Sequence, residues 1–180
     1  MDSSHLKSFL NDAMKCKSEL LGGLGGAVST PVRPAVSAGD APGLRPVMLY
    51  ADGGSRGNPG PAALGAKLVD QDGNVLREIS RYIGITTNNV AEWSALIAGL
   101  EAALELGVRD LAVRLDSELV VRQLNGTYRV KHPNLQPLHA RAKGLLQRFD
   151  RVEIAHVRRD ENADADALVN RALDEHARSA

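Results

Sequence analysis

Four acidic positions in this 180-residue sequence could act together in catalysis, namely Asp52, Glu92, Asp116 and one of the pair Asp164 and Asp166. Asp52 follows a first apolar run, and Glu92 lies in the first turn of a long helical pattern. Asp116 follows a second apolar run, and Asp164 and Asp166 open the last helical pattern. Strand ends and helix starts along one sheet edge are where α/β folds gather their sites. Carboxylates with no His or Cys among them suit hard cations, Mg2+ or Mn2+, rather than zinc. Two such ions ~3.5–4 Å apart can activate a water and stabilise the leaving oxygen of a phosphodiester. Any one of these carboxylates is as readily a helix cap or a surface charge; only the set points to a shared site. Residues two apart on a helix point ~200° apart, so one of Asp164 and Asp166 at most can face it.

The charge balance bears on what such a site would meet. Overall, 22 basic and 22 acidic side chains cancel. By segment they do not. Residues 122–159 carry Arg122, Arg129, Lys131, Arg141, Lys143, Arg148, Arg151, Arg158 and Arg159 against Asp150 and Glu153, a net +7. Residues 48–121 and 160–180 each stand at net −4. A basic stretch beside clustered carboxylates suits a polyanion and its metal ions, although on charge alone a solvated face explains it equally well. Cys16 is the one cysteine, which excludes an internal disulfide or a thiolate zinc site and fits a reduced, cytoplasmic protein. No apolar run nears the ~20 residues that cross a bilayer, so no membrane partner is expected.

The elements that must position these groups follow from periodicity and turn chemistry. Leu6, Phe9, Leu10, Ala13 and Met14 share one side of an amphipathic helix within residues 1–21, which Gly22 and Gly23 end. Residues 22–45, rich in Gly, Pro and Ala, read as a flexible linker, and residues 46–178 as the compact domain. There, strands are expected at 47–51, 63–69 and 75–83, the last two joined by an Asp-Gly hairpin turn. A helix capped within Thr86–Asn89 runs to about Leu106, a strand spans 111–115, and Ser117 caps a short helix ending at Leu124. A helix at 138–149, a strand at 152–157 and a helix at 162–178 complete the order. Three consecutive strands followed by strand–helix alternation imply an α/β fold: a five-stranded mixed sheet with helices on its faces.

Four motifs in sequence narrow this further: Asp52-Gly53-Gly54-Ser55-Arg56-Gly57-Asn58-Pro59-Gly60, Thr86-Thr87-Asn88-Asn89-Val90-Ala91-Glu92, Asp116-Ser117-Glu118-Leu119, and His156 with Arg159, Asn162 and Ala165-Asp166-Ala167-Leu168. Together, over about residues 47–175, they resemble type 1 ribonuclease H. The resemblance implies the ribonuclease H-like fold, three antiparallel strands followed by parallel ones. It implies an endonuclease that cuts the RNA strand of RNA–DNA hybrids with two Mg2+ or Mn2+ ions. The products would carry 5′-phosphate and 3′-hydroxyl ends, and double-stranded RNA is a further candidate substrate. By position, Asp52, Glu92, Asp116 and Asp166 match the metal-binding catalytic carboxylates. His156, ten residues before Asp166, matches a mobile histidine that aids water activation or product departure. Asn58, Thr87, Asn88 and Asn89 match contacts to the hybrid, and short amides and hydroxyls can reach 2′-hydroxyls in a shallow minor groove. Gly53 would let the backbone approach the substrate closely. Arg129 and Lys131 stand in a loop where some members carry a lysine-rich handle helix, and are expected to meet the substrate. Glu118 departs from the glutamine common at its position, and a small N-terminal hybrid-binding module looks absent.

Other readings share the fold class. A proofreading-type exonuclease needs a second acid two residues after the first, where this sequence has Gly54. Actin-like phosphotransferases need two such domains. A non-catalytic RNA- or hybrid-binding protein on the same fold is the alternative of a different class. A monomer is expected, with the N-terminal helix free to engage a protein partner.

Overall fold

The computed structural model describes residues 46–179; the expected N-terminal helix and linker lie outside the described residues. Strands β1 (Val47–Ser55), β2 (Gly60–Val69) and β3 (Val75–Thr86) form an antiparallel meander. Helix α1 (Asn88–Glu105) then crosses to β4 (Asp110–Leu115), which pairs parallel with β1. Helices α2 (Glu118–Leu124) and α3 (Gln136–Leu146) lead to β5 (Arg151–His156), parallel to β4. A 3-10 turn (Arg159–Asn162) feeds the last helix, α4 (Ala163–Ser179). The sheet order is β3-β2-β1-β4-β5, the mixed sheet expected from the element order.

Alternation along the strands sends Leu49, Ala51, Leu111, Val113 and Leu115 to one face, where they bury against Trp93, Leu96 and Leu100 of α1 and Leu138 and Leu145 of α3. Burying such side chains contributes roughly 1.5–3 kcal/mol each. The opposite face of the sheet receives α4, whose Val169, Ala172 and Leu173 pack on Ala63 and Tyr82. Gly65 of β2 allows that docking, because a Cβ there would overlap the Ala165 carbonyl oxygen of α4.

Two boundaries differ from expectation in ways that matter for the site. β1 does not stop at Ala51 but pairs with β2 through Ser55, so Asp52 lies inside the strand, opposite Gly65. Its parallel pairing with β4 ends at Ala51–Leu115, however. Asp52 and Asp116 therefore both sit just past the point where the two strands part. Helix α3 begins at Gln136 rather than Leu138, since Pro137 fits a first helical turn, and ends before Phe149.

Candidate active site

Asp52, Glu92, Asp116 and Asp166 line one cleft of about 400 Å3. Gly53 fixes the approach of α1 to β1. A Cβ at Gly53 would overlap the backbone of Ala91 and Glu92, so the close approach it permits is to α1 rather than to a ligand. That contact sets Glu92 beside Asp52. On α4, Asp166 faces the cleft while Asp164 turns to Lys67 of β2, 2.7 Å away. The ~200° between them is resolved in this sense.

Three of the four carboxylates are held by polar side chains. Ser117 donates its hydroxyl to Glu92 Oε2 at 2.8 Å, and Asn88 Nδ2 donates to Glu92 Oε1 at 3.2 Å. Ser117 stands at the N-cap position of α2 as expected but makes no side-chain cap there; its hydroxyl is donated to Glu92. Asn162, 1% exposed, donates its Nδ2 to the Ala51 carbonyl and to Asp116 Oδ1, both at 3.1 Å. It thus closes the fork between β1 and β4, while its own Oδ1 stays buried without a partner. Asp166 accepts from Arg159 Nη2 at 3.0 Å and from Asn170 Nδ2 at 2.8 Å.

The shared cleft perturbs the acids. Burial, then the nearby Asp116 and Asp166, raise the Asp52 carboxyl from 3.8 to about 6, against the pull of the Gly53 N–H and Arg159. Burial raises Glu92 from 4.5 to about 7, with Asp52 and Asp116 adding to it and the Ser117 hydrogen bond opposing. A cleft that holds Asp52 and Glu92 back from ionising is a strong electrostatic sink for cations. Yet no three His, Cys, Asp or Glu side chains among the described residues converge into a ready cage for an ion. Oxygens of Glu92, Asp116 and Asp166 accept hydrogen bonds from Ser117, Asn88, Asn162, Asn170 and Arg159, with which a cation would compete.

The remaining expected residues fall at two places. Thr87 caps α1, its hydroxyl accepting from the Val90 N–H at 3.4 Å. Asn58 Oδ1 accepts the Asn88 N–H at 3.2 Å, linking the β1–β2 turn to the start of α1. Asn89 is exposed at that same start. His156 ends β5 with Nε2 3.1 Å from the Asp116 carbonyl oxygen. Arg129 and Lys131 do not join this group; they are exposed in the loop before α3 and line no part of the carboxylate cleft. Trp93, next to Glu92 on α1, is fully buried in the core. Glu118 bonds Arg122 within α2 at 2.6 Å and stands outside the cleft lining. Sequence reasoning gave Ser117 no part in the site and left Arg159 and Asn162 without roles. Their signal was position alone, three and six residues past His156 for the latter two.

The family described as reverse transcriptase-like matches residues 50–172. A ribonuclease HI of Halobacterium salinarum is 50% identical over 129 residues, 72% of this chain and 65% of that protein. A crystal structure of RNase H1 from that archaeon has a TM-score of 0.71 and 50% identity, over 73% of this chain and 99% of the other. The bifunctional protein Rv2228c of Mycobacterium tuberculosis is 49% identical over 135 residues, 74% of this chain. LC11-RNase H1, solved in complex with an RNA/DNA hybrid, has a TM-score of 0.69 and 45% identity, over 73% of this chain and 99% of the other. The chain spans 37% of the length of the mycobacterial protein and 65% of that of the halobacterial one. With four carboxylates gathered at one cleft, about half of the aligned residues shared with these proteins and a common fold over the same span, the chain belongs to the ribonuclease H family.

Proposed function

We propose that the domain is an endoribonuclease that cuts the RNA strand of RNA–DNA hybrids with two divalent ions, Mg2+ or Mn2+, leaving 5′-phosphate and 3′-hydroxyl ends. The observation that carries this reading is the convergence of Asp52, Glu92, Asp116 and Asp166 on one cleft, two of them with strongly raised pKa values. The complex of LC11-RNase H1 with an RNA/DNA hybrid supports the substrate class. The donor set fits hard divalent ions: four carboxylates line the cleft without a thiolate or imidazole. Bound there, the ions would supply the Lewis acidity that activates a water and stabilises the leaving oxygen.

The chain's own contributions follow from its hydrogen bonds. Asn162 fixes Asp116 through Oδ1. Ser117 and Asn88 hold the two oxygens of Glu92 until a cation competes for them. Because Asn58 accepts the Asn88 N–H, a strand seated on these two amides bears directly on the group that orients Glu92. In this reading Asn89 reads the groove, Thr87 shapes the helix start, and His156 at the rim shuttles protons or assists departure of the product. A labelled RNA–DNA hybrid incubated with Mg2+ or Mn2+, with the new ends identified, tests the proposal. Binding without cleavage by the native protein would favour the non-catalytic reading, and undiminished cleavage by Asp52→Asn would refute the assigned site.

A further inference from the structure

The β1–β2 turn presents an arginine for which the carboxylate chemistry has no use. Arg56 lines the cleft, and its backbone is fixed there by an N–H donated to the Pro61 carbonyl at 2.8 Å. Its guanidinium pairs with Asp174 of α4, a residue distant in sequence. Asp166, Asn170 and Asp174 recur every four residues on α4, so they form one stripe running about 12 Å from the carboxylate cluster outward. Asn170 bonds Asp166 at the inner end of that stripe, and Asp174 anchors Arg56 at the outer end.

Among the described residues that line the cleft, Arg56 and Arg159 are the cations. Arg159 is engaged by Asp166. The Arg56–Asp174 pair differs in its partner, since Asp174 is not one of the four cleft carboxylates, and its side chains are 48% and 47% exposed. An exposed ion pair is weakened by water and salt and is readily exchanged. The planar fork of an arginine that accepts a carboxylate accepts a phosphodiester equally well. We propose that Arg56 forms a phosphate subsite at the rim of the cleft, where it grips a non-scissile phosphodiester of the bound nucleic acid after that phosphate displaces Asp174. The subsite rests on the hybrid-binding reading above and adds to it a fixed anchor at a set distance from the reacting centre. Asp174 serves as the resident anion that keeps the guanidinium aligned and lowers its affinity for stray anions.

The test is direct binding of a fluorescent RNA–DNA hybrid in chelator, followed by anisotropy between about 50 and 200 mM salt. Native protein, Arg56→Ala, Asp174→Asn and Arg77→Ala are compared. Arg77 makes the same kind of exposed pair, with Glu105, at the far end of β3. Arg56→Ala should weaken binding about tenfold at low salt and make the log–log salt slope shallower by about 0.9. Asp174→Asn should tighten binding about two- to threefold, since it removes a competing anion. Arg77→Ala should change neither quantity. A native slope in Arg56→Ala overturns the subsite, as does an equal loss of slope in Arg77→Ala. Weakened binding in Asp174→Asn would make the pair a structural clasp and overturn it too. Cleavage of the same hybrid by native protein in Mg2+ is scored separately, so binding without cleavage fails the catalytic reading and leaves the subsite result standing.

Discussion

Replacing Asp52 with Asn should make the ion-free protein more stable while abolishing cleavage. The carboxyl is half-buried inside β1 with Asp116 and Asp166 close enough to raise its pKa from 3.8 to about 6. Because the folded value lies above the unfolded one, the native state holds the extra proton. The associated stability is full below about pH 4 and is lost as pH rises through about 6. At neutral pH the ionised group therefore weighs against folding. The displacement corresponds to about 3 kcal/mol at 1.36 kcal/mol per pKa unit. Cleft water and the cost of burying an amide in its place reduce the expected gain to about 1–2 kcal/mol. Asn keeps an oxygen to accept the Gly53 N–H, so no hydrogen bond need be lost. Urea unfolding in chelator at about pH 4, 5.5 and 7.5 measures the effect, and at about 4 °C per kcal/mol it is visible in Tm as well. The gain should be near zero at the lowest pH and largest at the highest. With Mg2+ present the order should invert, because native protein gains binding stabilisation that the variant forfeits. An Asp52→Asn variant that is equally or less stable than native protein at pH 7.5 in chelator would refute the electrostatic account of the cleft.

Three further outcomes follow from the same geometry. Ion binding should displace protons from Asp52 and Glu92, so that calorimetric Mg2+ affinity falls as pH drops below about 7; a flat profile between about pH 5.5 and 8 would contradict it. Gly53→Ala should cost about 1–3 kcal/mol or more and push Glu92 off station, cutting cleavage, because the added Cβ meets backbone. Gly54→Ala, which meets only the Val169 side chain at 3.1 Å, should be much milder in both thermal melts and cleavage assays. Asp164→Asn should leave cleavage within about twofold and cost about 1 kcal/mol, having lost a pair in which Asp164 is exposed and Lys67 is largely buried, whereas Asp166→Asn should be inactive.

The elements and their order along the chain were legible because the apolar runs and turn residues are local signals. Asp70 to Asn74 forms its own hydrogen-bonded turn, and Thr87 caps α1 from three residues away. The end of β1 was not, since Gly53 and Gly54 have low strand propensity and their pairing is decided by Leu64 and Ala63 across the hairpin. The four carboxylates could be found by type and spacing, yet the groups that aim them could not be found that way. Ser117 reads as a helix cap from its neighbours, and only the fold brings Glu92, 25 residues earlier, to its hydroxyl. Asn162 is a still longer connection, 111 residues from the Ala51 carbonyl it binds. Polar groups that act across the fold leave no periodic trace, so a propensity argument assigns them to the nearest turn.

The net charge of +7 over residues 122–159 is largely spent inside the molecule. Arg122, Arg141, Arg151, Arg158 and Arg159 pair with Glu118, Glu101, Asp110, Asp160 and Asp166, all of them outside that segment. Arg129, Lys131, Lys143 and Arg148 make no ion pair among the described residues. The electrostatic footprint on a polyanion is therefore smaller than the sequence sum and centred on α3 and the loop before it, apart from the cleft itself. Neutralising Arg129 and Lys131 together should make the salt slope of hybrid binding shallower by up to about 1.8, at about 0.9 per phosphate contact. Arg141→Ala should act differently. Its guanidinium spans from α3 to Glu101 on α1 in a partly buried pair, so its loss should lower Tm and leave the salt slope nearly native. If Arg141→Ala flattened the slope as much as the loop pair did, the paired arginines would be exchanging partners for phosphates. The sequence sum, rather than the unpaired residues, would then measure the surface that meets nucleic acid.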